Sequence, residues 1–65
     1  MIKLNSREHP WRQGLTVQNL IDEEEFVFKH IVVRVNGVPI DEEDYAATVI
    51  SDGDDVLVLH LMAGG

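Results

Sequence analysis

The ten residues Val56-Leu57-Val58-Leu59-His60-Leu61-Met62-Ala63-Gly64-Gly65 constrain this chain more than any other stretch, because an apolar strand passes into a diglycine with no turn between them. Five of the six residues from Val56 to Leu61 are aliphatic. A run of that kind reads as a strand covered on both faces, at the middle of a sheet. A central strand that continues into a tail holds the tail on a rigid support. Met62 to Gly65 then reach roughly 13 Å at ~3.3 Å per extended residue, enough to enter a pocket on another protein. Glycine lacks a Cβ, so Gly64 and Gly65 pass through a channel too narrow for side chains and take backbone angles closed to other residues. The candidate reactive group is therefore the Gly65 carboxylate, with Ala63 and Gly64 as its flexible approach. The chain divides into a folded domain over residues 1–61 and a flexible tail over residues 62–65.

Composition limits the chemistry available to the domain. Sixty-five residues form one domain that buries only about 60% of its unfolded surface, which leaves no room for a deep catalytic pocket. There is no cysteine, so disulfides, thiolate nucleophiles and the usual zinc frameworks are excluded, and any reactive sulfur comes from elsewhere. No signal-peptide run opens the sequence, and no segment approaches the ~20 apolar residues of a membrane span, so the chain reads as cytoplasmic. Twelve acidic side chains against five basic ones give a formal charge of −7. That balance argues against nucleic-acid or membrane partners and for docking on a basic surface.

Along the chain, Ile2 and Leu4 alternate with Lys3 and Asn5 as a short half-buried strand, reversed by Asn5-Ser6-Arg7-Glu8. His9-Pro10-Trp11-Arg12 is the expected hairpin partner, confined by Pro10 to a sheet edge. Thr16 is placed as an N-cap, with Leu15 and Leu20 as a hydrophobic staple and Val17, Leu20 and Ile21 as one apolar stripe. Asp22-Glu23-Glu24-Glu25 opposes the helix dipole and keeps the helix short. Phe26-Val27-Phe28-Lys29-His30 brings the chain back across the core. Ile31 to Val35 is β-branched and nearly continuous, and Asn36-Gly37 after it signals a type I′ hairpin into Val38-Pro39-Ile40. One turn of helix or 3₁₀ is expected in Tyr45 to Ile50, with Tyr45 and Val49 or Ile50 packed inward. Ser51-Asp52-Gly53-Asp54-Asp55 turns into the last strand. The order strand, strand, helix, strand, short strand, strand is that of an α+β chain with a β-grasp (ubiquitin-like) fold. Its mixed sheet has four to five strands, is crossed by one α-helix, and pairs the last strand in parallel with the first.

Val33-Arg34-Val35-Asn36-Gly37, the Asp52-Gly53-Asp54 turn and the terminal Met62-Ala63-Gly64-Gly65 resemble the ThiS sulfur-carrier family of thiamin biosynthesis, which shares its diglycine end with the MoaD and ubiquitin groups. The resemblance implies that the Gly65 carboxylate is adenylated and converted to a thiocarboxylate that donates sulfur to a ThiG-type thiazole synthase. A ThiF-type enzyme would supply the adenylation from its own ATP and a sulfur donor protein the sulfur, while this chain binds no cofactor and is a co-substrate, not an enzyme. The resemblance also turns Val56 and Val58 inward and leaves Leu57 and Leu59, with Leu61 and Met62 beyond them, to meet partners of a chain that is monomeric when free. One departure stands in Ile40-Asp41-Glu42-Glu43, where family members often carry a Pro-Arg pair.

The residues themselves support the need for outside enzymes. A carboxylate is a poor acyl donor, and the chain has no Gly-x-x-x-x-Gly-Lys loop to hold a nucleotide. His9, His30 and His60 have no ligand spacing on one element, so no metal site is assigned. Three other readings stay open at the level of sequence: the small subunit of molybdopterin synthase, a ubiquitin-like modifier forming isopeptide bonds through Gly65, and a docking module with an idle tail.

Overall fold

The computed structural model describes residues 1–24 and 31–60. β1 (Ile2–Leu4), β2 (Arg7–His9), β3 (Ile31–Val35), β4 (Val38–Ile40) and β5 (Asp55–His60) form one sheet in the order β2-β1-β5-β3-β4. Helix α1 (Val17–Glu23) buries Val17, Leu20 and Ile21 against it. A single 3₁₀ turn, Glu42–Asp44, connects β4 to the segment that precedes β5. The β-grasp expectation is met, with five strands and one α-helix among the described residues.

The core lies between the helix and one face of the sheet. Ile2 and Leu4 from β1, Val33 from β3, and Val56 and Val58 from β5 meet Leu15, the helix stripe, Tyr45 and Ile50. The helix begins as its sequence dictates. The Thr16 hydroxyl accepts from the Asn19 N–H at 3.1 Å, and the Asn19 side chain accepts from the Thr16 N–H at 3.1 Å, a capping box closed by the shorter Asn in place of the usual Glu or Gln. Leu15 and Leu20, the two ends of the staple, are fully buried. Trp11 packs at the rim, and its indole N–H donates to the Ile50 carbonyl at 2.8 Å.

Three local expectations are corrected. The second strand is Arg7–His9, earlier than His9-Pro10-Trp11-Arg12, because the reversal takes only two residues. Asn5 and Ser6 both have positive φ, 52° and 67°, which is what a two-residue turn matched to the strand twist requires. Pro10 therefore follows the edge strand and does not interrupt it. The helical turn falls on Glu42–Asp44, before Tyr45, because the later residues are drawn out to pair with the helix entry. Val17 donates to Thr48 and Ile50 to Leu15 across an isolated antiparallel bridge between Thr16 and Val49. Tyr45 and Ile50 are buried by this arrangement, while Val49 is 60% exposed.

The third correction concerns β5. It is central by pairing, parallel to β1 and antiparallel to β3, yet only one of its faces is covered. Val56 and Val58 are buried, Leu57 is half-buried and Leu59 is 44% exposed. One helix supplies one covering layer, so an unbroken apolar run here means an apolar outer face and not burial on both sides. The expected return of Phe26-Val27-Phe28-Lys29-His30 lies outside the described residues.

Candidate functional site

β5 is held at three points, and each comes from a short polar side chain or a backbone group of a neighbouring element. At its start, the Asn36 side chain accepts from the Asp55 N–H and donates to Asp54 Oδ1, both at 2.9 Å, while the Asn36 N–H donates to the Asp55 carbonyl at 2.7 Å. Asn36 has a φ of 52° and Gly37 a φ of 83°, so the β3–β4 turn also presents a polar side chain to the β5 entry. On the side of β1, the N–H groups of Lys3 and Asn5 donate to the carbonyls of Asp54 and Val56, the parallel ladder over the first residues of β5. Farther on, β1 has already turned away at Asn5, and the Asn5 side-chain oxygen accepts from the Val58 N–H at 2.8 Å. The side chain replaces the ladder bond that β1 no longer offers.

On the other flank, β3 pairs with β5 along its whole length, from Val35 opposite Val56 to Ile31 opposite His60. The strand is thus secured up to His60, five positions before Gly65. Of the residues singled out by sequence, Leu57 and Leu59 stand together on the outer face, whereas Leu61, Met62, Ala63, Gly64 and Gly65 lie outside the described residues.

The acidic runs are placed elsewhere. Glu23 and Glu24 at the end of α1 each face a side chain from the segment that follows β1. The Arg12 guanidinium donates to both oxygens of the Glu23 carboxylate, and His9 Nε2 lies 3.6 Å from Glu24 Oε1. The hydrogen bond from Arg12 holds the Glu23 carboxyl below its ordinary range, and the same bond raises the guanidinium pKa. The Arg12–Glu23 pair offsets the unfavourable position of a carboxylate at a helix C-terminus. Asp41, Glu42, Glu43 and Asp44 surround the 3₁₀ turn, where acidic groups in a first turn are favoured. Burial, followed by the charges of Glu42 and Asp41, raises the Tyr45 pKa.

Among the described residues, no group of three or more His, Asp or Glu side chains is arranged to hold a metal, and no helix is long and apolar enough to cross a membrane. Sequence reading missed Asn5 and Asn36 as supports of β5. The signal for Asn5 was available in the two polar residues Asn5-Ser6 between alternating segments, a hairpin pattern in which Asn tolerates positive φ.

Comparison with known proteins places a family beside this geometry. The ThiS family model matches residues 2–65, so the match spans the whole domain and the diglycine end. The chain belongs to the ThiS family. This ThiS-family chain is similar in structure to a thiamine biosynthesis protein (ThiS) from Geobacter metallireducens, known from a crystal structure. The TM-score is 0.82 at 27% sequence identity, and the match covers 98% of this chain and 97% of that one. No curated protein matches the chain.

Proposed function

We propose that this ThiS-family chain is a sulfur carrier in thiamin biosynthesis and that the Gly65 carboxylate carries the sulfur. The observation that supports it best is the support of β5 up to His60, five residues before Gly65, on a domain with no cysteine. A strand paired up to His60 gives the five residues that follow a fixed base, so the strand itself incurs no ordering cost when a separate active site is engaged.

The chemistry follows from the carboxylate. A Gly65 oxygen attacks the α-phosphorus of ATP on a ThiF-type adenylating enzyme, pyrophosphate leaves, and the acyl-adenylate results. Hydrosulfide, delivered by a sulfur donor protein, then attacks the acyl carbon and expels AMP. With hydrosulfide the product is the thiocarboxylate directly, and a ThiG-type thiazole synthase accepts its sulfur. The chain provides the acyl group, the reach and a docking surface, and the partner enzymes provide the nucleotide site. Leu57 and Leu59 on the outer sheet face, with Leu61 and Met62 following, form that docking surface, since an apolar strip on an otherwise acidic domain marks an interaction site.

The adenylation half-reaction is tested by isotope exchange. A ThiF-type enzyme with labelled pyrophosphate and ATP should incorporate label into ATP only when this chain is added. Exchange no greater than that of the enzyme alone, with a known ThiS protein active in the same assay, would overturn the proposal.

A further inference from the structure

The charge of the chain is distributed unevenly about the sheet. Residues paired directly across strands share a face. Lys3 is paired with Glu8 on one side and Asp55 on the other, and Arg34 with Pro39 and Leu57, so these residues stand on the outer face with Leu59. Two cations and two carboxylates make that face neutral. The remaining described side chains hold nine carboxylates against Arg7 and Arg12, which is the whole of the −7 charge, since Glu25 and Lys29 cancel.

The two outer cations differ in their surroundings. Lys3 lies between two carboxylates. Arg34 has an apolar neighbour on each side, with Asp55 only on the diagonal, and neither cation has a carboxylate within 4.0 Å among the described residues. Arg34 is exposed, beside the Leu57 and Leu59 strip. A guanidinium is weakly hydrated and planar, and it binds a carboxylate through two parallel N–H donors, so it is suited to an apolar docking surface where a lysine is not.

We propose that Arg34 is the polar anchor of the outer-face docking surface and that the protein partner presents to it a single Asp or Glu carboxylate set in an apolar patch. The inference rests on the outer-face docking described under Proposed function and adds the charge that the partner carries. A polyanion such as nucleic acid is disfavoured by the field of the acidic remainder of the domain, which a single guanidinium does not offset. One carboxylate on an apolar protein surface matches both the guanidinium and its Leu neighbours.

The test is the affinity of the adenylating enzyme for the parent chain and for Leu59→Asp, Arg34→Gln, Arg34→Glu and Arg7→Glu, each first shown to melt like the parent. Arg7→Glu makes the same charge change as Arg34→Glu at a site off the outer face. Arg34→Gln should weaken binding about tenfold and Arg34→Glu about a hundredfold, in line with a charge-assisted hydrogen bond, while Arg7→Glu should change it less than about threefold. A carboxylate-to-lysine change on the enzyme should restore binding to Arg34→Glu. If Leu59→Asp weakens binding but Arg34→Glu behaves as Arg7→Glu does, the anchor is wrong and the docking face stands. If Leu59→Asp binds like the parent, the docking face itself is wrong. A parent chain that sediments as a dimer, with Leu59→Asp monomeric, would make the face a contact between copies of this chain and overturn the proposal.

Discussion

The Asn5 side-chain oxygen accepts a hydrogen bond from the Val58 N–H at 2.8 Å, joining the end of the first strand to the last across 53 positions of sequence. Asn5 also occupies the first position of the two-residue β1–β2 turn, with a φ of 52°. One residue therefore sets the hairpin and extends the support of β5 past the point where β1 leaves it. Asn5→Gly tolerates the turn geometry but removes the acceptor. It should destabilise the domain by about 1–2 kcal/mol, the cost of a part-buried N–H left without its partner. Asn5→Ala should cost about 1 kcal/mol more, because alanine lacks asparagine's tolerance of the left-handed region. Urea melts of the two variants measure both effects, and equal stability of Asn5→Gly and the parent would show that the bond to Val58 contributes nothing.

The two faces of β5 make opposite predictions for the same chemical change. Leu59 is 44% exposed, so Leu59→Asp should alter stability by less than about 1 kcal/mol while weakening partner binding. Val58 is 6% exposed on the core side, and Val58→Asp places an unpaired charge under the helix. A 65-residue domain has about 3–10 kcal/mol of total stability, so this second variant should be largely unfolded at 25 °C. Circular dichroism melts decide the matter, and a Leu59→Asp chain as unstable as Val58→Asp would reverse the assigned facing of the strand.

The pairing of Arg12 with Glu23 gives a defined dependence on pH. The Glu23 carboxyl has a folded pKa below its unfolded one, so its contribution is present above the ordinary glutamate value of ~4.3 and is lost as pH falls through the lower folded value. Both groups are solvent-exposed, so the effect is small and screened by salt. Glu23→Gln should be slightly less stable than the parent at neutral pH, and the difference should vanish in acid. A difference that persisted unchanged at a pH well below 4 would show that Glu23 acts through something other than its charge.

Local chemistry was legible wherever one residue type dictates one geometry. Thr16 with Leu15 and Leu20 located the helix entry, and Asn36-Gly37 located the second hairpin, because caps and type I′ turns depend on neighbours within a few residues. Pro39 correctly marked an edge strand, since it donates no ladder bond. The errors arose where distant segments decided the outcome. The 3₁₀ turn moved to Glu42–Asp44 because Thr48 and Ile50 bond to Val17 and Leu15, which no local pattern reveals. The apolar run of β5 has the pattern of a doubly covered strand, because sequence does not count the layers above a sheet. The parity of Val56 and Val58 against Leu57 and Leu59 left the inward row undecided until the family resemblance, and then the burial, chose it. The neutral outer face was hidden for the same reason, since Lys3, Glu8, Arg34 and Asp55 meet only through the strand order.

The most direct test of the account is the intact mass of the chain after incubation with a ThiF-type enzyme, ATP and a sulfur donor. The mass should rise by the difference between one sulfur and one oxygen, mapped to the C-terminal peptide. The rise should be absent in Gly64→Val, whose branched side chain obstructs a narrow channel, and in a chain with one alanine added after Gly65, whose carboxylate is displaced from the ~3 to 3.5 Å approach that attack requires. A parent chain left unmodified by a demonstrably active enzyme, or an alanine-extended chain modified as efficiently as the parent, would contradict the assignment of Gly65 as the sulfur-carrying group.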